Sequence, residues 1–331
     1  MTSLDLVLFG AGRIGQIHGA NAAAHPRAKL RWVVDPNLEA ATALAKKFGA
    51  KATTSPEEAL ADKGNTAAII ASSTNTHVEL LTASSKAGLA IFCEKPIDNS
   101  LERVDLALSE LSKSKVPFFI AFNRRFDPSF AALRGAVKNG DLGQVETVII
   151  TSRDPSPPPI AYVKVSGGLF RDMMIHDLDM ARWLLPEEPV QVFAQGSALV
   201  DPAIGQAGDV DTAVVSMKTK SGVLCQISNS RRAVYGYDQR IEVHGAKGML
   251  QAGNLTPTSV VHASASGVVS DKPLHFFLER YQKAYQAEME HFVTAILDKK
   301  PLSTGAEDGR RALVLAEAAM KSLEKNAPVT L

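Results

Sequence analysis

Leu6-Val-Leu-Phe-Gly10-Ala-Gly12-Arg-Ile-Gly15 is a short apolar run that ends in the spacing G-x-G-x-x-G and opens an amphipathic stretch. A strand that turns in this way into a helix makes a seat for a diphosphate. Gly10 permits the tight turn, Gly12 lets the backbone approach the anion, Gly15 lets the helix pack close to the strand, and the helix N-terminus attracts negative charge. Alone the triplet is weak, because glycines in any strand-to-helix turn can match it. Asp35 makes it specific: it follows the next apolar run, about 20 residues past Gly15, where a carboxylate accepts hydrogen bonds from the ribose hydroxyls. The same carboxylate repels a 2′-phosphate, and its follower is Pro36 rather than an arginine, so the predicted cofactor is NAD rather than NADP. Arg13 and Ile14, inside the turn, are counted with the cofactor site.

Outward from this turn, residues 1–122 repeat a short Val/Ile/Leu/Phe-rich run followed by a longer amphipathic stretch, the pattern of a parallel sheet built from strand–helix–strand units. The runs at 6–9, 30–34, 67–71, 90–93 and 118–122 are apolar without alternation, as strands are when helices cover both faces of their sheet. Helices are predicted over 38–48, with Gly49 past the end, and over 100–114, with Ser100 as N-cap. Beyond residue 122 the pattern changes. One more helix at 129–138 precedes longer runs at 145–152, 190–199, 210–219, 222–230 and 240–244, joined by turn chemistry such as Thr219-Lys-Ser-Gly222 and Gly245-Ala-Lys-Gly248. A helix is predicted over 169–185, and two more at the end, over 279–297 and 306–323. The predicted fold class is therefore α/β, a doubly wound Rossmann domain over 1–122, joined to an α+β domain over 123–331 with a mostly antiparallel sheet.

Thirty-six basic against 35 acidic side chains leave a net charge of +1, so the chain carries no field to hold a nucleic-acid backbone or an anionic membrane. A small molecule is the expected partner. No run approaches the ~18 apolar residues of a membrane span. Met1-Thr-Ser-Leu-Asp5 leads into the first apolar run without a basic segment, so no secretory leader is expected. The two cysteines, Cys93 and Cys225, lie in apolar runs and are expected as buried free thiols of a cytoplasmic protein.

Two further strings carry chemistry. Phe92-Cys-Glu94-Lys95-Pro96 ends the fourth predicted strand, and in a doubly wound sheet the carboxyl ends of the strands face the ligand crevice. Pro96 restricts Lys95 to an extended backbone or sets a cis bond, and either fixes the direction of the lysine. In Gly167-Gly168-Leu-Phe-Arg-Asp172-Met-Met-Ile-His176-Asp177-Leu-Asp179, a helix places Asp172, His176 and Asp179 at i, i+4 and i+7, an imidazole between two carboxylates. Oxidising a secondary alcohol needs a base for the hydroxyl proton and positive charge near the developing alkoxide. His176 fits the first role and Lys95 the second, with Asp172 orienting the imidazole. A capping network, or a metal site built on the same three side chains, is the competing use; one histidine with no cysteine nearby makes no ordinary metal set, and no metal is expected.

With the glycine turn, Glu94-Lys95-Pro96 and Gly167-Gly168…Asp172…His176 in this order, the chain resembles the glucose-fructose oxidoreductase / inositol dehydrogenase / MocA family over nearly its whole length. Phe122-Asn-Arg-Arg-Phe-Asp127, Ser152-Arg-Asp154-Pro and Asn229-Ser-Arg-Arg-Ala-Val-Tyr235-Gly-Tyr-Asp-Gln239 are most similar to the bacterial inositol 2-dehydrogenase branch. The resemblance implies a large open sheet in the second domain that serves substrate binding and oligomer contacts, often in a homotetramer. It also implies NAD-dependent oxidation of myo-inositol to its 2-keto product, scyllo-inosose, in inositol catabolism. It places Lys95, Asp172 and His176 at the reacting hydroxyl and makes Arg125, Asp154 and Tyr235 candidates for the other hydroxyls. Ser73, Thr74, Asn75 and His77, after the third predicted strand, join Glu94 and Lys95 near the cofactor.

Plainer uses stand beside these: Arg125 in a helix-entry ion pair, Tyr235 in a core, His77 in a helix start. Two other functions are also open. One keeps the chemistry and changes the polyol to scyllo-inositol or an aldose, with apolar Met174 as the position that bears on the choice. The other is a sugar-sensing regulator on the same fold without turnover, against which the intact Lys95, Asp172 and His176 argue.

Overall fold

Residues 3–331 are described in the computed structural model; Met1 and Thr2, part of the start read as leaderless, lie outside them. The chain forms two compact units.

The first unit takes the chain up to Phe126 together with Ala284–Arg311. It alternates β1 (Leu4–Phe9), α1 (Arg13–Ala24), β2 (Ala28–Val34), α2 (Leu38–Phe48), β3 (Lys51–Thr53), α3 (Pro56–Ala61), β4 (Ala67–Ile70), α4 (His77–Lys86), β5 (Ala90–Glu94), α5 (Leu101–Ser114) and β6 (Phe118–Ala121). Every strand pair is parallel, and the order is β3-β2-β1-β4-β5-β6. That order reverses between β1 and β4, the place where doubly wound sheets receive their ligands. The caps follow the sequence: Ser100 accepts from the Arg103 amide, and Gly49 closes α2 in the left-handed conformation. β3 was not expected; three residues are too few to show a period.

A division at residue 122 does not include the return of Ala284–Arg311 to this unit. Met289, Phe292 and Val293 join Leu4, Leu8, Phe92 and Phe119 in one buried cluster, with the Phe92 and Phe292 rings 5.5 Å apart. Each such phenylalanine contributes about 1.5–3 kcal/mol by leaving water.

The second unit, Asp127–Lys283 with Ala312–Leu331, opens with α6 (Pro128–Asn139). It continues through β7 (Val145–Arg153), α7 (Ile160–Ser166), α8 (Ile175–Leu184), β8 (Pro189–Ser197), α9 (Pro202–Gln206), β9 (Thr212–Thr219), β10 (Leu224–Ser230), β11 (Asp238–Gly245) and β12 (Gly248–Ala252). A small hairpin, β13 (Val261–Ser264) and β14 (Gly267–Ser270), precedes α10 (Phe277–Arg280); α11 (Gln282–Leu297) then belongs almost wholly to the first unit, and α12 (Ala306–Lys325) and β15 (Val329–Thr330) end the chain. The large sheet runs β12-β11-β7-β10-β9-β8-β15, antiparallel except for the β7–β10 pair. Alternation is plain along β9, where Ala213, Val215 and Met217 are buried while Val214, Ser216 and Lys218 are exposed. The all-exposed hairpin and the two-residue β15 carry no such pattern and were not expected.

The helix predicted over 169–185 is broken. Leu169–Met173 is a π-helical turn, closed by the Met174 amide on the Leu169 carbonyl at 2.8 Å, and α8 begins only at Ile175. The wide turn adds a residue to the winding and changes the phase between Asp172 and His176 from the i, i+4 stacking of a regular helix. Cys93 and Cys225 are buried free thiols, and burial pushes both well above the ordinary thiol range. Among the described residues, no helix is long and apolar enough to cross a membrane.

Candidate active site

The glycine turn holds each glycine for a different reason. Gly10 has φ +101°, and a Cβ there would meet the Ala71 carbonyl oxygen at 2.5 Å; on Gly15 it would meet the Gly10 oxygen at 1.9 Å. Both are demanded by the protein's own packing. Gly12 is not: its φ of −69° suits any residue, and a Cβ would meet nothing within 4 Å. The open space over Gly12, at the first turn of α1, is what a diphosphate approaching the backbone needs, so these residues fit a dinucleotide. Asp35, at the end of β2, accepts from the Ala11 amide through Oδ2 and from the Asn37 amide through Oδ1, both at 2.8 Å. Its carboxylate is half-buried beside the turn and carries the charge expected to meet the ribose.

The other strand ends add two loops. After β4, Ser73 and Asn75 are exposed and Thr74 half-buried. His77 is buried behind them, its Nδ1 2.8 Å from the Pro96 carbonyl oxygen and its Nε2 3.1 Å from that of Ser72. The imidazole braces the β4 loop against the Glu94-Lys95-Pro96 turn, and burial lowers its pKa below the ordinary histidine value. The Lys95–Pro96 peptide is cis. Glu94, mostly buried, accepts from the Lys95 amide at 3.2 Å and lies 2.6 Å from Nε2 of fully buried His18. Arg125, also of this unit, bonds Asp308 at 2.8 Å.

In the second unit the π-helical turn presents Asp172, which accepts from the Tyr162 hydroxyl at 2.9 Å and faces Arg231 at 3.4 Å. The Arg231 guanidinium, only 2% exposed, is also 3.8 Å from Asp154. One buried cation thus joins two of the acids singled out from sequence. His176, half-buried, stands on the first turn of α8; the following Asp177 is fully buried and accepts from the Asn229 side chain at 3.0 Å. Asp179 is buried beside Arg182 at 3.9 Å and belongs to that ion pair. Tyr235 belongs to another cluster: it donates to Asp238 at 2.7 Å and receives from Arg153 at 2.9 Å. Met174 is fully buried in the core.

Residues 4–122 match the oxidoreductase family described by its NAD-binding Rossmann fold, and residues 130–251 match the GFO/IDH/MocA C-terminal domain. The chain belongs to the GFO/IDH/MocA oxidoreductase family. It is 47% identical to a myo-inositol 2-dehydrogenase of Thermotoga maritima, over 98% of this chain and 97% of that one. It superposes with a TM-score of 0.96 on the crystal structure of a putative myo-inositol dehydrogenase from Sinorhizobium meliloti, 46% identical over 99% of both chains. A scyllo-inositol dehydrogenase from Lactobacillus casei, solved with bound NAD(H) and scyllo-inositol, gives 0.92 at 27% identity over 99% of both chains. The glycine turn, Asp35 and the neighbouring loops of this GFO/IDH/MocA member lie within the stretch that matches the NAD-binding Rossmann fold.

Arg231 and Tyr162 were given no role from sequence. Arg231 sits in the quoted Asn229-Ser-Arg-Arg string, but nothing local distinguishes a buried bridging arginine from its exposed neighbour Arg232. Its signal is the presence of acids at 154 and 172, which only the fold brings within reach.

Proposed function

We propose that the chain is an inositol 2-dehydrogenase, oxidising myo-inositol with NAD at one ring hydroxyl to the 2-keto product, scyllo-inosose, in cytoplasmic inositol catabolism. The observation that carries the reading is the Asp172–Arg231–Asp154 cluster, two carboxylates held by one buried cation, which suits them to accept from the hydroxyls of a polyol. NAD, when bound, supplies the hydride acceptor. The glycine turn and Asp35 hold its diphosphate and ribose, with the loop from Ser73 to Asn75 alongside.

His176 takes the hydroxyl proton, a step worth roughly 10²–10⁴-fold when the base is well placed. The Lys95 ammonium is assigned to stabilising alkoxide character at the reacting hydroxyl. Asp172, held by Tyr162 and Arg231, orients the imidazole and binds a neighbouring hydroxyl. Asp154 and Tyr235 bind further hydroxyls. Arg125, paired with Asp308, is a further candidate to bind a hydroxyl.

The outer face of the large sheet exposes Ile149, Val214, Leu224 and Met249, an apolar surface suited to pairing two copies, and two such pairs make the proposed homotetramer. A second reading, scyllo-inositol as substrate, is favoured by the likeness to the Lactobacillus casei enzyme. Initial rates of NADH formation with myo-inositol, scyllo-inositol, chiro-inositols and glucose, repeated with NADP, test the proposal. Fastest turnover with myo-inositol and NAD supports it. A preference for another polyol changes the substrate, and no turnover with any of them returns the chain to the regulator reading.

A further inference from the structure

Behind the strand end that carries Lys95 lies a group of titratable side chains that the chemistry above does not use. Glu288, on α11, is fully buried, and no donor reaches either of its carboxyl oxygens. One oxygen of Glu288, one of Glu94 and a ring nitrogen of His18 all lie within 4.8 Å of one another. Aromatic rings stand beside His18, 4.7 Å away at Phe92 and 5.8 Å away at Tyr285, one turn before Glu288 on the same helix.

A buried carboxylate without a donor is costly, and a second carboxylate beside it raises the cost. Two things relieve it, a proton or a cation. The geometry favours the proton. His18 Nε2 and Glu94 Oε1 are 2.6 Å apart, a hydrogen-bond length, whereas two atoms bound to one ion at about 2.0–2.2 Å stand farther apart than that. Burial, and then the Glu94 charge, push Glu288 well above the usual carboxylate range.

We propose that Glu288 is a neutral carboxylic acid that donates its proton to the Glu94 carboxylate, completing a His18–Glu94–Glu288 triad that positions the strand end bearing Lys95. Glu94 is the hub: Oε1 meets the His18 ring, Oε2 accepts from the Lys95 amide at 3.2 Å, and the Glu288 proton is the third donor. The titratable groups gathered with Glu288 are His18 from α1 and Glu94 from β5, and Tyr285 of its own helix stands against the His18 ring. Glu288 touches neither substrate nor cofactor in this scheme; it is a positioning residue. The importance of its target rests on the catalytic reading of Lys95.

Three measurements on the full-length protein test this. Infrared spectroscopy is predicted to show a protonated-carboxyl stretch in the parent that is missing from Glu288→Gln. Glu288→Gln keeps a neutral donor and is predicted to hold kcat within about two-fold, whereas Glu288→Met, which has none, loses about ten-fold or more in kcat with KM for NAD unmoved. In protein labelled with 15N-lysine, the Lys95 amide resonance is predicted to move in Glu288→Met and to stay in place in Glu288→Gln. Absence of the carboxyl band, a stoichiometric divalent metal lost from Glu288→Gln, or an equal loss in both variants would overturn the proposal. Where Glu288→Met does not fold, the band and the behaviour of Glu288→Gln decide. A parent without turnover on any inositol contradicts the proposed function alone, because the band and the amide resonance are read without activity.

Discussion

Asp35 accepts a hydrogen bond from the Ala11 amide at 2.8 Å, so the acid proposed to select the ribose also pins the turn proposed to seat the diphosphate. On that proposal, cofactor choice and loop geometry are coupled through one carboxylate. Asp35→Ser is predicted to weaken NAD use and relax the preference against NADP, and to lower stability by about 1 kcal/mol through the lost amide contacts. Steady-state kinetics with both cofactors, and thermal melts without either, separate the two effects. A parent enzyme that already prefers NADP would contradict this assignment.

Gly12 and Gly15 are predicted to respond to alanine in opposite ways. Gly12→Ala has free space and folds with nearly unchanged stability, yet its methyl group stands where the diphosphate approaches, so KM for NAD rises. Gly15→Ala places its Cβ 1.9 Å from the Gly10 oxygen and destabilises the fold itself. Melting curves beside NAD titrations check the contrast.

Arg231 is predicted to act on the polyol and not on NAD. Arg231→Met leaves Asp172 and Asp154 without their shared buried cation. A lost charge-assisted contact of about 1.5–3 kcal/mol corresponds to about a 10–100-fold fall in kcat/KM for inositol. NAD affinity measured calorimetrically should stay within about two-fold. Equal losses for both ligands would mean that Arg231 only supports the fold.

His291 supplies an acid-labile contact. Its Nε2 accepts from the Ser303 amide at 3.0 Å, which requires the neutral ring, and burial lowers its pKa below the ordinary histidine value. A histidine with a lowered folded pKa binds fewer protons folded than unfolded, so its contribution is present at neutral pH and lost as pH falls below about 6.5. His77, lowered by burial, adds in the same direction. His291→Gln keeps an acceptor for Ser303 without titrating. It is predicted to flatten the fall in Tm between about pH 7 and about pH 5.

Local chemistry was legible in the sequence wherever one segment contains both ends of the argument. The turn from Gly10 to Gly15 and its Asp35 are read from glycine spacing and a strand end, and the caps Ser100 and Gly49 from single residues. What depends on the chain returning was not legible. Phe292 reaches the Phe92 core only because α11 comes back to the first unit, and Glu288 travels with it. The π-helical turn escaped because Leu169–Met173 has ordinary helical residues, and the extra residue in the turn shows only in its hydrogen bond. Arg231 escaped because its partners are Asp154 and Asp172, from separate segments of the chain.

The central claim is hydride transfer from one ring carbon of inositol to NAD. It is tested most directly with myo-inositol deuterated at the carbon that bears the reacting hydroxyl. The deuterium is expected on the nicotinamide of the reduced cofactor, with slower transfer than from the protium compound, and Lys95→Ala and His176→Ala are expected to abolish nearly all of it. Deuterium retained in the sugar product while NADH forms, or transfer undiminished in either variant, would contradict it.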